Sequence, residues 1–135
     1  MHFSFPQKVL FKHCDPAGLV FSPRFFEMIN DAVDALFNDP LRWPFHDMHP
    51  EAGVTTAAFN RRLRLPCRHG DLLQLMRELM HLGKWSLSLT TRAFRQDVLC
   101  FGTDQTLVCV GSEGQPMSWP ADVRARIENL MEAST

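Results

Sequence analysis

The sequence has no excess of charge of either sign and no long hydrophobic run. Fourteen Lys and Arg residues nearly balance 15 Asp and Glu residues, and the formal net charge is −1. A chain so close to neutrality has no general electrostatic attraction to nucleic acid or to an anionic membrane surface. No apolar stretch approaches the roughly 18 residues that a membrane-spanning helix requires. We therefore expect neither nucleic acid nor a membrane among the partners.

The sequence also lacks the cysteine spacings of a disulfide framework or a zinc site. The four cysteines are Cys14, Cys67, Cys100 and Cys109. No C-x-x-C or H-x₃₋₅-H spacing accompanies them, so neither a metal nor a cofactor is predicted. Lys8, Lys12 and Asp15 stand where a signal peptide needs an apolar core. We therefore expect reduced thiols and a cytoplasmic location.

What the sequence does contain is enough material for one domain with a sizeable core. We assign residues 1–135 to a single domain, with 45% hydrophobic residues. Alternation of apolar and polar residues over 3–13 predicts a first strand, which ends at an acidic turn.

A long helix follows over residues 22–38. Ser22 is the predicted N-cap, Pro23 suits the first helical position, and Pro40 ends the helix near Asn38. One stripe of the helix is apolar and needs a sheet to pack on. Its members are Phe25, Ile29, Ala32, Val33 and Leu36.

The second half of the chain supplies that sheet. Residues 39–53 contain three prolines and one glycine and predict an irregular connection. The predicted strands that follow are residues 54–65, 71–82, 85–93 and 98–110. Residues 71–82 suit a helix on propensity alone, but strands flank them and a two-residue turn at Gly83-Lys84 joins them to the next strand. A short amphipathic helix is predicted from Pro120.

These elements predict an α+β fold in which a curved antiparallel sheet of five strands wraps a long central helix, with a short C-terminal helix. One helix cannot cover both faces of such a sheet. The remaining apolar surface and the exposed sheet edges favour a dimer.

The turn at residues 15–23 carries the chemistry. An acid at Asp15 comes directly before a helix start at Ser22-Pro23. A helix N-terminus offers unpaired N–H groups and roughly half a positive charge, which stabilise negative charge on a carbonyl oxygen. A nearby carboxylate can attack the carbonyl carbon or remove a proton from water. The residues alone leave both routes open, and a turn carboxylate without catalysis is the structural alternative.

The run Asp15-Pro-Ala-Gly-Leu-Val-Phe-Ser-Pro23 resembles the D-P-A-G-hydrophobic-V-x-x-P signature of the 4-hydroxybenzoyl-CoA thioesterase family of hotdog-fold enzymes. The resemblance extends through the helix and, more weakly, through 53–60, 70–71 and 84–86. It implies hydrolysis of an aryl- or short-acyl-CoA thioester, with CoA and a free acid as products. It also implies a homodimer or a homotetramer with active sites at a subunit interface.

The resemblance also implies roles for individual residues. Asp15 would be the catalytic carboxylate, and Gly18, Ser22 and Arg24 would position the substrate, with backbone amides around Ser22 to Arg24 forming the oxyanion hole. The implied substrate-binding residues are Asn60, Lys84, Trp85 and Ser86. Arg62 and Arg64 share a strand face, and their guanidinium groups are candidates for the CoA phosphates. Structural alternatives are a solvated basic strand face for the arginines and a core position for Trp85.

Three other functions compete with CoA thioester hydrolysis. A non-catalytic acyl-CoA or acyl-carrier-binding module would bind without turnover. An acyl-carrier-protein thioesterase would differ only in the thiol carrier. A hydratase of the same fold usually has a His a few residues after the Asp, and none follows Asp15 here. A Cys14–His13 nucleophile is disfavoured because neighbouring strand residues point to opposite faces.

Overall fold

A computed structural model describes residues 3–133, in which one antiparallel sheet of five strands packs against a long helix. The strand order is β1-β3-β4-β5-β2, so β1 and β2 form the two edges. In chain order the elements are β1 (Phe3–Lys8), α1 (Ser22–Asn38), α2 (Phe45–Met48), β2 (Ala52–Leu63), β3 (Leu72–Leu82), β4 (Ser86–Arg95), β5 (Val98–Gly111) and α3 (Ala121–Ala133). The predicted α+β architecture is confirmed.

The sheet buries one face against α1. Side chains alternate across it, so residues of one register row share a face. One row on the α1 side crosses four neighbouring strands. Phe5 of β1 pairs with Leu75 of β3, Leu75 pairs with Ala93 of β4, and Ala93 pairs with Phe101 of β5. The segment that suited either a helix or a strand is β3, because β1 and β4 hydrogen-bond to its two sides.

The apolar stripe of α1 is confirmed in full. All five predicted members are buried, together with Met28 and Phe37. The Phe25 ring meets Phe101 of β5 edge-on at 4.6 Å between centroids. The helix ends at Asn38 as predicted.

A second part of the core lies at the other end of α1, where α3 packs. Phe37 of α1 stacks with Trp119 at 6.2 Å, and Val123 and Ile127 of α3 are buried in the same cluster. The predicted terminal helix is therefore confirmed and closes this end of the sheet. None of the helices within residues 3–133 combines the length and the hydropathy needed to span a bilayer.

The first strand is shorter than predicted. It ends at Lys8, and residues Phe11–His13 form a 3₁₀ turn instead of continuing the strand to residue 13. The reason is a local side-chain bond: the Leu10 amide donates to Nδ1 of His13 at 2.9 Å, which closes the turn. Alternation of apolar residues could not reveal this competition for a backbone amide.

The predicted N-cap is also wrong by one residue. Phe21 is the N-cap, Ser22 is the first helical residue, and no side chain caps the helix. The reason is that the Phe21 carbonyl already accepts the Arg24 amide at 2.8 Å, so helical geometry begins one residue earlier. Pro23 consequently occupies the second helical position.

Other boundaries also differ from the predictions. The irregular connection 39–53 contains α2, and β2 begins within it at Ala52. The turn between β3 and β4 spans three residues, 83–85, because the Gly83 amide bonds the Ser86 carbonyl at 2.8 Å. β2 ends at Leu63 instead of residue 65, because the amides of Arg64 and Leu65 both bond the Cys100 carbonyl, at 2.8 and 2.9 Å, and the regular pairing stops there.

Candidate active site

A tight loop of residues 14–20, which we call the acid loop, carries Asp15 and leads through Phe21 into α1 at Ser22. Its ends pair as an antiparallel bridge between Cys14 and Val20. Inside it, the Asp15 amide bonds the Leu19 carbonyl at 2.8 Å, and the Gly18 amide bonds the Asp15 carbonyl at 2.9 Å. Gly18 has φ of 81°, a conformation that residues with a Cβ rarely adopt. The glycine is thus required by the loop geometry.

The carboxylate of Asp15 is held by one of its two oxygens. Oδ1 accepts the amide hydrogens of Ala17 at 2.9 Å and Leu19 at 3.2 Å. Within residues 3–133, Oδ2 accepts no hydrogen bond. The side chain is half-buried, so the loop orients the carboxylate while one oxygen stays open to a ligand.

At the helix start, the backbone amides of Phe21 and Arg24 are engaged within residues 3–133, and that of Ser22 is not. The Phe21 amide donates to the His13 carbonyl and the Arg24 amide to the Phe21 carbonyl, both at 2.8 Å. Pro23 has no N–H. Across the described residues, the Ser22 N–H donates to no protein acceptor. Of the amides expected around Ser22 to Arg24, the Ser22 amide is therefore without an acceptor, whereas the Arg24 amide is engaged in the tight first turn.

The acid loop forms one wall of a cleft of about 470 Å³. Apart from the Asp15 carboxylate, the surface that lines the cleft is mostly apolar. The lining residues are Phe11, Cys14, Asp15, Pro16, Gly18 and His69. Phe11 is 82% exposed and meets the His69 ring edge-on at 6.2 Å. Gly18, expected to position the substrate, lines the cleft, as do Phe11 and His69, which were not among the expected site residues.

A second loop, residues 64–71, fixes His69 relative to the acid loop. The Val20 amide bonds the Cys67 carbonyl at 2.9 Å, and the His69 amide bonds the Gly18 carbonyl at 3.2 Å. Leu19 and Arg68 form a further bridge. Nothing in the sequence signals these contacts, because some 50 positions separate the two loops.

The neighbouring thiols and His13 do not form a nucleophilic pair. His13 is buried, burial lowers its pKa, and its Nδ1 is occupied by the Leu10 amide. Burial, with a smaller contribution from Cys100, raises the pKa of the Cys67 thiol to about 12. In the described part of the chain, no group of three or more His, Cys, Asp or Glu residues could hold a metal ion.

Comparison with known proteins finds likeness in structure and none in sequence. No family model matches the chain, and no curated protein does either. A 1,4-dihydroxy-2-naphthoyl-CoA thioesterase from Synechocystis has a TM-score of 0.86 and 15% identity, covering 96% of this chain and 98% of the other. A probable thioesterase from Bartonella henselae has a TM-score of 0.84 and 13% identity, with coverages of 89% and 100%. A hypothetical protein from Staphylococcus aureus in complex with CoA has a TM-score of 0.89 and 12% identity, with coverages of 98% and 85%.

The chain has the hotdog fold. At these identities the likeness establishes the architecture, and the chemistry has to be argued from the site itself.

In this hotdog sheet, Asn60 and Arg62 lie on the face opposite α1. The Arg62 guanidinium pairs with Asp104 of β5, and Asp104 also accepts the Thr90 hydroxyl at 3.0 Å. This pairing raises the pKa of Arg62 and lowers that of Asp104. Asn60 stands opposite Asp104 in the register. Neither of these two predicted residues lines the Asp15 cleft.

The other predicted substrate-binding residues lie at two places. Arg64 is exposed just after β2, and its amide bonds the Cys100 carbonyl at 2.8 Å. Lys84 lies over the Trp85 ring at 5.7 Å in the β3–β4 turn, and Trp85 is 43% exposed rather than in the core. Ser86 begins β4, whose 10 residues extend about 30 Å toward the end of the sheet that carries the acid loop. One chain therefore does not bring residues 84–86 to its own Asp15.

Proposed function

We propose that this protein hydrolyses acyl-CoA thioesters, releasing a free acid and CoA. The observation that carries the proposal is the arrangement of Asp15 and Ser22. The acid loop holds one oxygen of Asp15 and leaves the other open in the cleft, and it leads directly into a helix whose Ser22 amide is unoccupied. A carboxylate on the loop that leads into an open helix N-terminus would supply both requirements of acyl transfer.

The helix start answers the electrostatic requirement. When an oxygen nucleophile adds to a thioester, negative charge develops on the carbonyl oxygen. The Ser22 N–H and the dipole of α1 would stabilise that charge without rearranging. The departing thiolate of CoA is a good leaving group, so the site needs no strong acid opposite Asp15.

The open oxygen of Asp15 answers the requirement for a nucleophile by either of two routes. As a general base it takes a proton from water, whose oxygen attacks the acyl carbon; the C–S bond then breaks and CoA leaves as a thiolate. As a nucleophile it attacks the acyl carbon itself, CoA leaves, and water hydrolyses the resulting anhydride. Both routes consume one water and yield one carboxylic acid and one thiol.

Structural neighbours support this assignment at a general level. Two similar hotdog structures are named as a 1,4-dihydroxy-2-naphthoyl-CoA thioesterase and a gentisyl-CoA thioesterase, and a third contains CoA. Together with the D-P-A-G signature, this favours an enzyme of the 4-hydroxybenzoyl-CoA thioesterase type. We propose aryl- or short-acyl-CoA esters as its substrates, in the cytoplasm.

A homodimer, or a tetramer built from two of them, would complete the site. The edge strand β2 runs from the end of the sheet near Trp85 to the end near the acid loop, as its register with β5 requires. Antiparallel pairing of two β2 edges would place residues 84–86 of one copy at the acid-loop end of the other. Lys84 would then be available to CoA bound beside the other copy's Asp15, with Arg64 as a further phosphate ligand.

The direct test is thiol release from benzoyl-CoA and short acyl-CoA esters. Asp15→Asn keeps the shape of the side chain but removes the charge, and we expect it to lower kcat by about 10²-fold or more. Asp34→Asn, an exposed acid on α1, is the matched control and should hydrolyse normally. Saturable binding of acyl-CoA without turnover would identify a binding module instead. Turnover of acyl-carrier-protein esters alone would show that the thiol carrier is acyl-carrier protein and not CoA.

A further inference from the structure

Arg61 of β2 lies against the first turn of α1. Its Nη2 donates to the Ser22 hydroxyl at 3.4 Å, although 39 positions separate the two residues in the sequence. Its guanidinium also lies over the Phe25 ring, 4.6 Å from the centroid. The side chain is therefore placed on the α1 side of the sheet, beside the residue whose amide is unoccupied.

Arg61 has no acidic partner in residues 3–133, in contrast to its neighbour Arg62, which pairs with Asp104. Its Nη1 is buried and has no acceptor among the described residues. Opposite Arg61 in the register is Thr103, whose side chain is 0% exposed and whose hydroxyl is likewise without a partner there.

This placement is unfavourable in the absence of an anion. The N-terminus of a helix carries partial positive charge, and a cation beside it is repelled. The first turn of α1 contains no acidic residue to offset the charge, and the Arg24 guanidinium is already paired with Glu27 at 2.5 Å. A guanidinium with one buried, unbonded nitrogen adds a desolvation cost. Both costs are offset when negative charge forms at the helix start.

We propose that Arg61 is a positioning residue for the oxyanion site. It holds Ser22 through the side-chain hydroxyl, which fixes the direction of the Ser22 N–H, and it adds a full positive charge behind that amide. The inference rests on the proposed thioesterase activity and assigns Arg61 to its transition state. It gives Arg61 no role in binding the phosphates of CoA, which lie at the far end of the pantetheine arm from the thioester.

The experiment compares kcat and KM for benzoyl-CoA among Arg61→Met, Arg61→Lys, Ser22→Ala and the Arg61→Met/Ser22→Ala double variant. Loss of a direct oxyanion donor costs about 10²–10³ in kcat, and a residue that acts through Ser22 should cost less, about tenfold. We expect Arg61→Met to lower kcat by about that factor with KM unchanged. Arg61→Lys should recover most of the loss, because it keeps the positive charge.

Two comparisons separate this role from simple packing. Arg92→Met removes an arginine from the outer sheet face, where Arg92 lies 3.8 Å from Glu78, and should leave kcat unchanged. In the double variant the losses should overlap rather than multiply, since both substitutions break one contact. If Arg61→Met does not fold, as judged by its thermal unfolding, Arg61→Gln provides the same comparison.

Several outcomes would overturn the inference. One is a kcat for Arg61→Met equal to that of Arg92→Met. Another is a raised KM of Arg61→Met with unchanged kcat, which would indicate that Arg61 binds CoA. Losses that multiply in the double variant would show that Arg61 does not act through Ser22. If wild type itself released no thiol, the proposed function would fail and this inference with it. If wild type is active and Asp15→Asn is not, only the Arg61 assignment is at stake.

Discussion

Phe21 donates its amide hydrogen to the carbonyl oxygen of His13 at 2.8 Å, so the residue that caps α1 is bonded to the turn directly before the acid loop. The Cys14–Val20 bridge lies between these two positions. The loop, the carboxylate and the helix start therefore form one hydrogen-bonded unit. Changes within this unit should affect activity more than they affect the stability of the fold.

Gly18→Ala tests this unit. At φ of 81° an alanine costs about 1–2 kcal/mol, with no atom within 4 Å to clash with the new methyl. We expect the free energy of unfolding in urea to fall by about that amount, and kcat to fall as well, because the flanking amides of Ala17 and Leu19 orient Asp15.

The matched control for this prediction is Gly114→Ala. Gly114 has φ of 82° and equally open surroundings, but lies in the turn after β5. The Gly114→Ala variant should lose a similar free energy of unfolding and keep the wild-type kcat. An equal loss of kcat in both variants would mean that general destabilisation, and not loop geometry, explains the effect.

Buried His13 should make stability depend on pH. Burial lowers its folded pKa below the ordinary value of 6.5, so folding favours the neutral ring, whose Nδ1 accepts the Leu10 amide. The stabilisation is thus fully present above pH 6.5 and is lost as the pH falls from there through the lower folded pKa. Urea unfolding of wild type between pH 8 and pH 5 should show this decline.

His13→Gln should flatten this dependence, since a glutamine can accept the same amide but does not titrate in this range. His81→Gln, at an exposed position of β3, should retain the wild-type decline. A wild-type slope that persists in His13→Gln would assign the titration to another group.

Phe11→Ala should weaken substrate binding without destabilising the fold. The ring is mostly exposed, so we expect the free energy of unfolding to change by less than about 0.5 kcal/mol. Because the ring forms a wall of the cleft with His69, KM for acyl-CoA should rise several-fold. Met80→Ala, which removes an exposed apolar side chain from the outer sheet face, should leave KM unchanged, and an equal rise there would refute the assignment.

The cysteines should differ sharply in reactivity. Cys67, Cys100 and Cys109 are buried, whereas Cys14 is partly exposed at the cleft. Burial raises the pKa of Cys67 to about 12 and that of Cys109 to about 11, which suppresses the reactive thiolate. Ellman's reagent should modify Cys14 first in the native protein and the other thiols only after unfolding. Peptide mapping that finds Cys67 or Cys109 labelled first would contradict this.

The sequence by itself determined those features that depend on neighbours along the chain. The stripe of α1, the strand over residues 85–93 and the placement of Asp15 before a helix start all follow from periods and turn residues. The need for glycine at position 18 belongs to the same class, since the loop's hydrogen bonds connect residues at most a few positions apart.

The tertiary structure alone decided which distant residues meet. His69 reaches the acid loop, Arg61 reaches Ser22, and Arg62 is engaged by Asp104 because strand order and register place them so. The N-cap residue Phe21 also bonds His13, eight positions away. A sequence pattern records which face a side chain takes, but the partner on that face is set by the packing of the whole sheet against α1.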